Sequence, residues 1–199
     1  MQDRQKSQQS KREQFLEKQK KDNKPKIVIL VFITMILAIV GIIFFTGNNK
    51  TSNDGFFGEQ VLEIRSYLGQ RVEMKTIVPQ VNQTQIVLEL SEIDENNIVY
   101  FESENKNGQM VPMMAYVTPS GRVFAGSSMC EPCRGTKFSL AGETLVCNTC
   151  NTTYRIENHE FVSGSPVCGS YPPVNMNPVI NESQIVININ EVLNWEVRG

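Results

Sequence analysis

The sequence predicts a mainly β protein: a small antiparallel β domain with two CxxC knuckles, preceded by one transmembrane helix. Three observations carry the prediction. An uncharged run fills residues 27–46, short β-type segments bounded by turn residues follow residue 71, and four of the five cysteines stand as two CxxC pairs with thirteen residues between them.

Residues 27–46 are twenty consecutive residues without a charge, the length a helix needs to cross a hydrocarbon layer of about 30 Å. A cleaved signal peptide has a shorter apolar core, about 7 to 15 residues, followed by a small-residue cleavage site. This run is longer and ends Phe44-Phe45-Thr46-Gly47, so an uncleaved anchor is expected. The first 26 residues hold nine Lys/Arg and four Asp/Glu, net +5, whereas residues 47–199 hold ten and seventeen, net −7. Lys and Arg beside a membrane segment favour the cytoplasmic face. The expected organisation is therefore a single pass through the cell membrane: a basic cytoplasmic tail at 1–26, the helix at 27–46, a linker at 47–58, and an extracytoplasmic cysteine-rich β domain at 59–199. The tail is Gln-rich and lacks the interleaved aromatic residues of a nucleic-acid surface. Its partner is expected to be the membrane and not nucleic acid.

Beyond the anchor, residues 47–58 (GNNKTSNDGFFG) have the composition of a solvated spacer. Val61, Ile64 and Leu68 are spaced for one short amphipathic helix, although the stretch is too brief to exclude a strand. Residues 85–90 (QIVLEL), 97–102 (NIVYFE) and 111–118 (VPMMAYVT) read as strands between Asn, Asp and Gly clusters. Pro119-Ser120-Gly121 supplies a fixed φ and a glycine that accepts positive φ, so the chain folds back between Tyr116 and Phe124 as a hairpin leading to Cys130. Residues 137–140 and 144–146 flank Ala141-Gly142-Glu143 as a second hairpin, which returns the second CxxC pair to the first. A last strand, residues 184–189 (QIVINI), follows a loop containing Pro172, Pro173 and Pro178 and is expected to close the sheet.

The chemistry lies in the cysteines. A CxxC turn points both sulfurs to one side and turns backbone N–H groups towards the first of them, which partly compensates thiolate charge. Just past the second cysteine a residue tolerant of positive φ is expected, and Gly135 follows Cys133 by two while Asn151 follows Cys150 directly. Cys130, Cys133, Cys147 and Cys150 are thus the candidate cofactor and metal ligands. Four thiolates suit zinc, a single iron or an iron-sulfur cluster, and the ligand type does not choose among them. The competing reading is a thiol-disulfide protein whose CxxC pairs form structural or redox disulfides, which an oxidising outer compartment favours. Cys168, in a Gly/Pro-rich loop eighteen positions after Cys150, is a candidate fifth sulfur, a replacement ligand, a resolving thiol or an unpaired buried one.

Other chemistries fit less well. His159, the only histidine, is expected as an exposed turn residue. Met110, Met113, Met114 and Met129 raise Cu(I), but on an alternating strand Met114 and Tyr116 face one way and Met113 the other, as core fillers do. Covalent haem needs CxxCH, and Arg134 and Asn151 follow the pairs here. A thioredoxin-like site needs an α/β pattern that is lacking. No Ser–His–acid set, P-loop or GxGxxG is present, so no catalytic residue is nominated, and a non-catalytic metal-binding or electron-transfer protein is expected over an enzyme.

Residues 120–125 (SGRVFA), the two CxxC pairs, the hairpin from Phe138 to Cys147, the strand with Tyr154 and Ile156, and the segment with Gly164, Cys168 and Pro172 together resemble the membrane iron-sulfur-containing proteins described as FtrD-like. The resemblance runs from about Val87 to Ile189 and takes in all five cysteines. It implies an extracytoplasmic, membrane-attached iron-sulfur or metal protein that acts in electron transfer or in iron handling and transport, with a membrane redox or iron-transport partner. It also implies a Rieske-like domain with cysteines in place of the histidine ligands, or a rubredoxin- or zinc-ribbon-like one.

Overall fold

The structure, a computed structural model, describes residues 57–198. The predicted tail, the predicted membrane helix and all but the last two residues of the predicted linker lie outside the described residues. Among the described residues no helix is long and apolar enough to cross a membrane.

The central layer is made by four strands, β2 (Lys75–Thr76), β5 (Ile98–Glu104), β6 (Met110–Val117) and β7 (Val123–Ser127), in the order β2-β5-β6-β7. All its pairings are antiparallel except that of β2 with β5. Side chains alternate across a strand, and here both sides are covered. Val99, Phe101, Met113, Ala115, Val117, Val123 and Ala125 pack on one face, while Ile98, Met114, Tyr116 and Phe124 pack on the other. Burial on both faces explains why residues 111–117 read as an unbroken apolar run instead of an alternating one.

Against the first face lies a sheet in the order β12-β13-β4-β3, from β3 (Gln80–Val81), β4 (Gln85–Glu89), β12 (Val179–Asn181) and β13 (Gln184–Asn188). Ile86 and Leu88 alternate inward and pair in register with Ile187 and Ile185. Against the second face lies a five-stranded sheet in the order β1-β8-β9-β10-β11: β1 (Tyr67–Glu73), β8 (Phe138–Gly142), β9 (Thr144–Cys147), β10 (Thr153–Arg155) and β11 (Phe161–Ser163). Tyr67, Phe138, Leu140, Leu145 and Tyr154 fill the core on this side together with Cys130, Cys147 and Cys168. Among the described residues three short helices, α1 (Leu90–Asn96), α2 (Pro166–Gly169) and α3 (Ile189–Leu193), cap strand ends.

The predicted strands at 85–90, 97–102, 111–118 and 184–189, and both hairpins, are present within a residue or two of their expected bounds. The helix expected over Val61, Ile64 and Leu68 is not. Those side chains are 38, 75 and 70 % exposed, so no core receives an apolar stripe. Residues 61–66 lie instead as an irregular strap leading into β1, which contains Leu68: the N–H groups of Val61 and Leu62 donate to the Gly121 carbonyl, and that of Arg65 to the Pro119 carbonyl, each at 3.0 Å. Gly121 has φ +75°, and a Cβ there would stand 2.1 Å from the Leu62 carbonyl oxygen, so the hairpin turn and the strap both require glycine.

Candidate metal centre

The hairpin of β8 and β9 sets the distance between the two CxxC pairs. Its register runs from Ala141 opposite Thr144 to Phe138 opposite Cys147, which brings Cys147 back beside the chain leaving the first pair. Each pair then closes through the same contact. The Cys130 N–H donates to the Gly135 carbonyl at 2.8 Å, and the Cys147 N–H to the Thr152 carbonyl at 2.9 Å. In both turns the residue directly after the second cysteine holds positive φ, 59° at Arg134 and 57° at Asn151.

Asn151 is where the sequence placed the left-handed residue, but in the first turn Arg134 takes that role and not Gly135. Gly135 is needed for space. A Cβ there would stand 2.5 Å from Thr149 Oγ1 and 3.0 Å from Cys147 Sγ, so the two turns interlock over a position with no side chain.

The result is a tight group of sulfurs. The Sγ atoms of Cys130, Cys133, Cys147 and Cys150 all lie within 4.8 Å of one another. Two of the approaches cross between the turns, 3.7 Å for Cys130 to Cys150 and 3.8 Å for Cys133 to Cys147. All five cysteines are free thiols. Cys130 and Cys147 are buried at the base of the group, and Cys133 and Cys150 are partly exposed at its rim.

The environment tunes these thiols apart. Burial pushes Cys130 well above the ordinary thiol range, helped by the neighbouring thiols of Cys133 and Cys168 and the charge of Cys147. Burial also raises Cys147, to about 11, although the backbone N–H groups of Cys150 and Thr149 aim at its sulfur and oppose the rise. At Cys150 burial again disfavours the thiolate, but hydrogen bonds from the Thr152 hydroxyl and N–H and from the Cys133 and Cys147 thiols outweigh it, and the value falls to about 6. Thr152 Oγ1 lies 3.2 Å from Cys150 Sγ. The donor set, soft sulfur with N–H and O–H groups aimed at it, fits a thiophilic metal.

Cys168 stands beside the four and outside their group. It lies buried in α2, its carbonyl accepts the Tyr154 hydroxyl at 2.7 Å, and its thiol is near enough to Cys130 to raise it. Met113 and Met114 are core residues on opposite faces of β6, as their alternation predicts.

His159 is not exposed. It sits in a turn at φ 59°, yet 93 % of its surface is covered by the rings of Phe57, Tyr116, Phe124 and Tyr154. Its Nδ1 lies 3.1 Å from the Pro173 carbonyl, which only accepts, so Nδ1 carries the proton. Nε2 lies 2.8 Å from the Tyr116 hydroxyl, which is also 2.9 Å from the Ile156 carbonyl. Burial holds this imidazole neutral and lowers it to about 4.

The sequence reading also passed over Glu131, the residue after the first cysteine. Its side chain is wholly buried, its carboxylate accepts from Arg198 Nε at 2.8 Å and from the Arg198 backbone N–H, and Arg198 Nη2 also donates to the Pro172 carbonyl at 2.6 Å. A carboxylate inside a CxxC pair was the available signal, but its partner is 67 residues away.

Fold and site together define a class: a three-layer β protein that gathers two CxxC turns into one four-thiol centre suited to a metal. The membrane iron-sulfur containing proteins described as FtrD-like match residues 93–198, more than half of the 199-residue chain, and the chain belongs to that family. The match begins inside α1 and takes in all five cysteines, His159 and Arg198. No curated protein and no solved structure matches the chain.

Proposed function

We propose that Cys130, Cys133, Cys147 and Cys150 bind a metal as thiolates, and that the protein is a single-pass membrane protein presenting this centre outside the membrane for electron transfer or iron handling with a membrane partner. The observation that carries the proposal is the convergence of four sulfurs from two turns within 4.8 Å. Membership of a family described as membrane iron-sulfur proteins supports the metal and the membrane. The uncharged run at 27–46 and the inside-positive charge division support the orientation.

Bound iron would supply one-electron exchange, and bound zinc would instead hold the turns together. The chain's own contribution is to stabilise negative sulfur. The N–H groups of Thr149 and Cys150 serve Cys147, and Thr152 serves Cys150. Burial keeps Cys130 and Cys147 protonated at neutral pH, so metal uptake displaces protons and apparent affinity rises with pH.

Alkylation followed by mass spectrometry of the full chain tests this against a thiol-disulfide protein. Four thiols protected from alkylation and released by a chelator are expected. Two pairs each lighter by two hydrogens, with no metal present, would assign the cysteines to disulfides. Cys130→Ser and Cys147→Ser are each expected to hold the metal less than a tenth as tightly.

A further inference from the structure

We infer that the four-cysteine centre holds a single metal ion and no inorganic sulfide, with Cys168 outside its coordination. The inference rests on the reading of these cysteines as a metal centre and concerns what that centre contains.

A thiolate–metal bond of about 2.3 Å in tetrahedral geometry gives sulfur–sulfur edges of about 3.8 Å, and all six edges are equal. A two-iron cluster is a pair of such tetrahedra sharing an edge of bridging sulfides, so its cysteine sulfurs fall into two pairs. Two of the six separations stay near 3.8 Å while the other four open to about 5.3 Å or more, and a four-iron cube separates its cysteines further still.

Here Cys130 and Cys150 stand 3.7 Å apart, Cys133 and Cys147 stand 3.8 Å apart, and none of the six separations exceeds 4.8 Å. The set is therefore narrower than any cluster that distributes its cysteines over two irons. The interlock at Gly135 also opposes expansion. Thr149 and Cys147 leave no room for a Cβ at Gly135, and the carbonyls of Gly135 and Thr152 tie Cys130 and Cys147. Four thiolates complete a tetrahedral shell, and Cys168 lies outside the group of four.

The family's description as iron-sulfur proteins thus meets a donor set more compact than the cysteine sulfurs of a two-iron cluster. The test uses the full-length chain, reduced and metal-free in detergent, titrated with Co²⁺ alone and separately with ferrous iron plus sulfide. Metal per chain, acid-labile sulfide and native mass are the readouts.

The expected result is saturation at one Co²⁺ per chain with a thiolate charge-transfer band, and one iron with no sulfide in the second titration. Cys168→Ser is expected to keep full stoichiometry, and Cys147→Ser to bind less than a tenth as tightly. Two or four irons with matching sulfide would overturn the single ion and leave the metal centre standing. Loss of stoichiometry in Cys168→Ser would overturn the four-ligand assignment. No binding of either metal would overturn this inference and the proposed function together.

Discussion

At the scale of single residues, the centre depends on positions that bear no sulfur. Gly135→Ala would drive a Cβ to within 3.0 Å of Cys147 Sγ and 2.5 Å of Thr149 Oγ1. The second turn must then shift, and overpacking of this kind costs about 1–3 kcal/mol. The expected outcome is a roughly 5- to 150-fold weaker hold on metal in competition with a chelator, with the β fold retained by circular dichroism. Sequence alone marked Gly135 but assigned it the wrong reason, because positive φ is a local property and the approach of Thr149 is not. His159 was misread similarly, since a turn residue next to Asn158 gives no local sign that four aromatic rings will enclose it.

That enclosure has a pH consequence. The folded-state value of His159 is lowered to about 4 from an ordinary 6.5, so neutral His159 favours the fold above pH 6.5 and this contribution is lost as pH falls towards 4. The loss is on the order of 3 kcal/mol. His159→Asn, which keeps a side chain tolerant of φ 59°, is expected to flatten stability against pH between 6.5 and 4 in urea titrations.

At the scale of elements, the alternation of β6 was fully legible: Met114 and Tyr116 go to one core and Met113 to the other. The flanking β7 shows what that two-sided burial is worth. Phe124 is wholly buried against Phe57, Tyr116 and His159, and Phe124→Ala is expected to cost about 3–5 kcal/mol in equilibrium unfolding. The short helices were not legible. Seven residues or fewer carry too little periodicity to separate them from turns. The missing helix at 61–68 failed for the opposite reason: its apolar spacing is present, but the backbone partners offered by the hairpin turn at Pro119 and Gly121 favour an extended strap.

At the scale of the whole molecule, distant segments secure the centre. Arg198 reaches the buried Glu131 between two of the candidate ligands, and its side chain is 43 % exposed. Arg198→Ala would leave the Glu131 carboxylate buried without its cation, at about 1–3 kcal/mol, and faster loss of metal to a chelator is expected. Sheet order, the pairing of β1 with β8 and the clamp at Glu131 were beyond the sequence reading, since each joins positions whose local patterns say nothing of one another.

The hairpin between the CxxC pairs also sets an order of events in folding. Cys133 and Cys147 are 14 residues apart and Cys130 and Cys150 are 20, whereas the rung joining β4 to β13 spans 95. Closing the longer loop costs roughly 1.7 kcal/mol more in chain entropy than closing the shortest. The four thiols are therefore expected to meet early, while the outer sheet is still open.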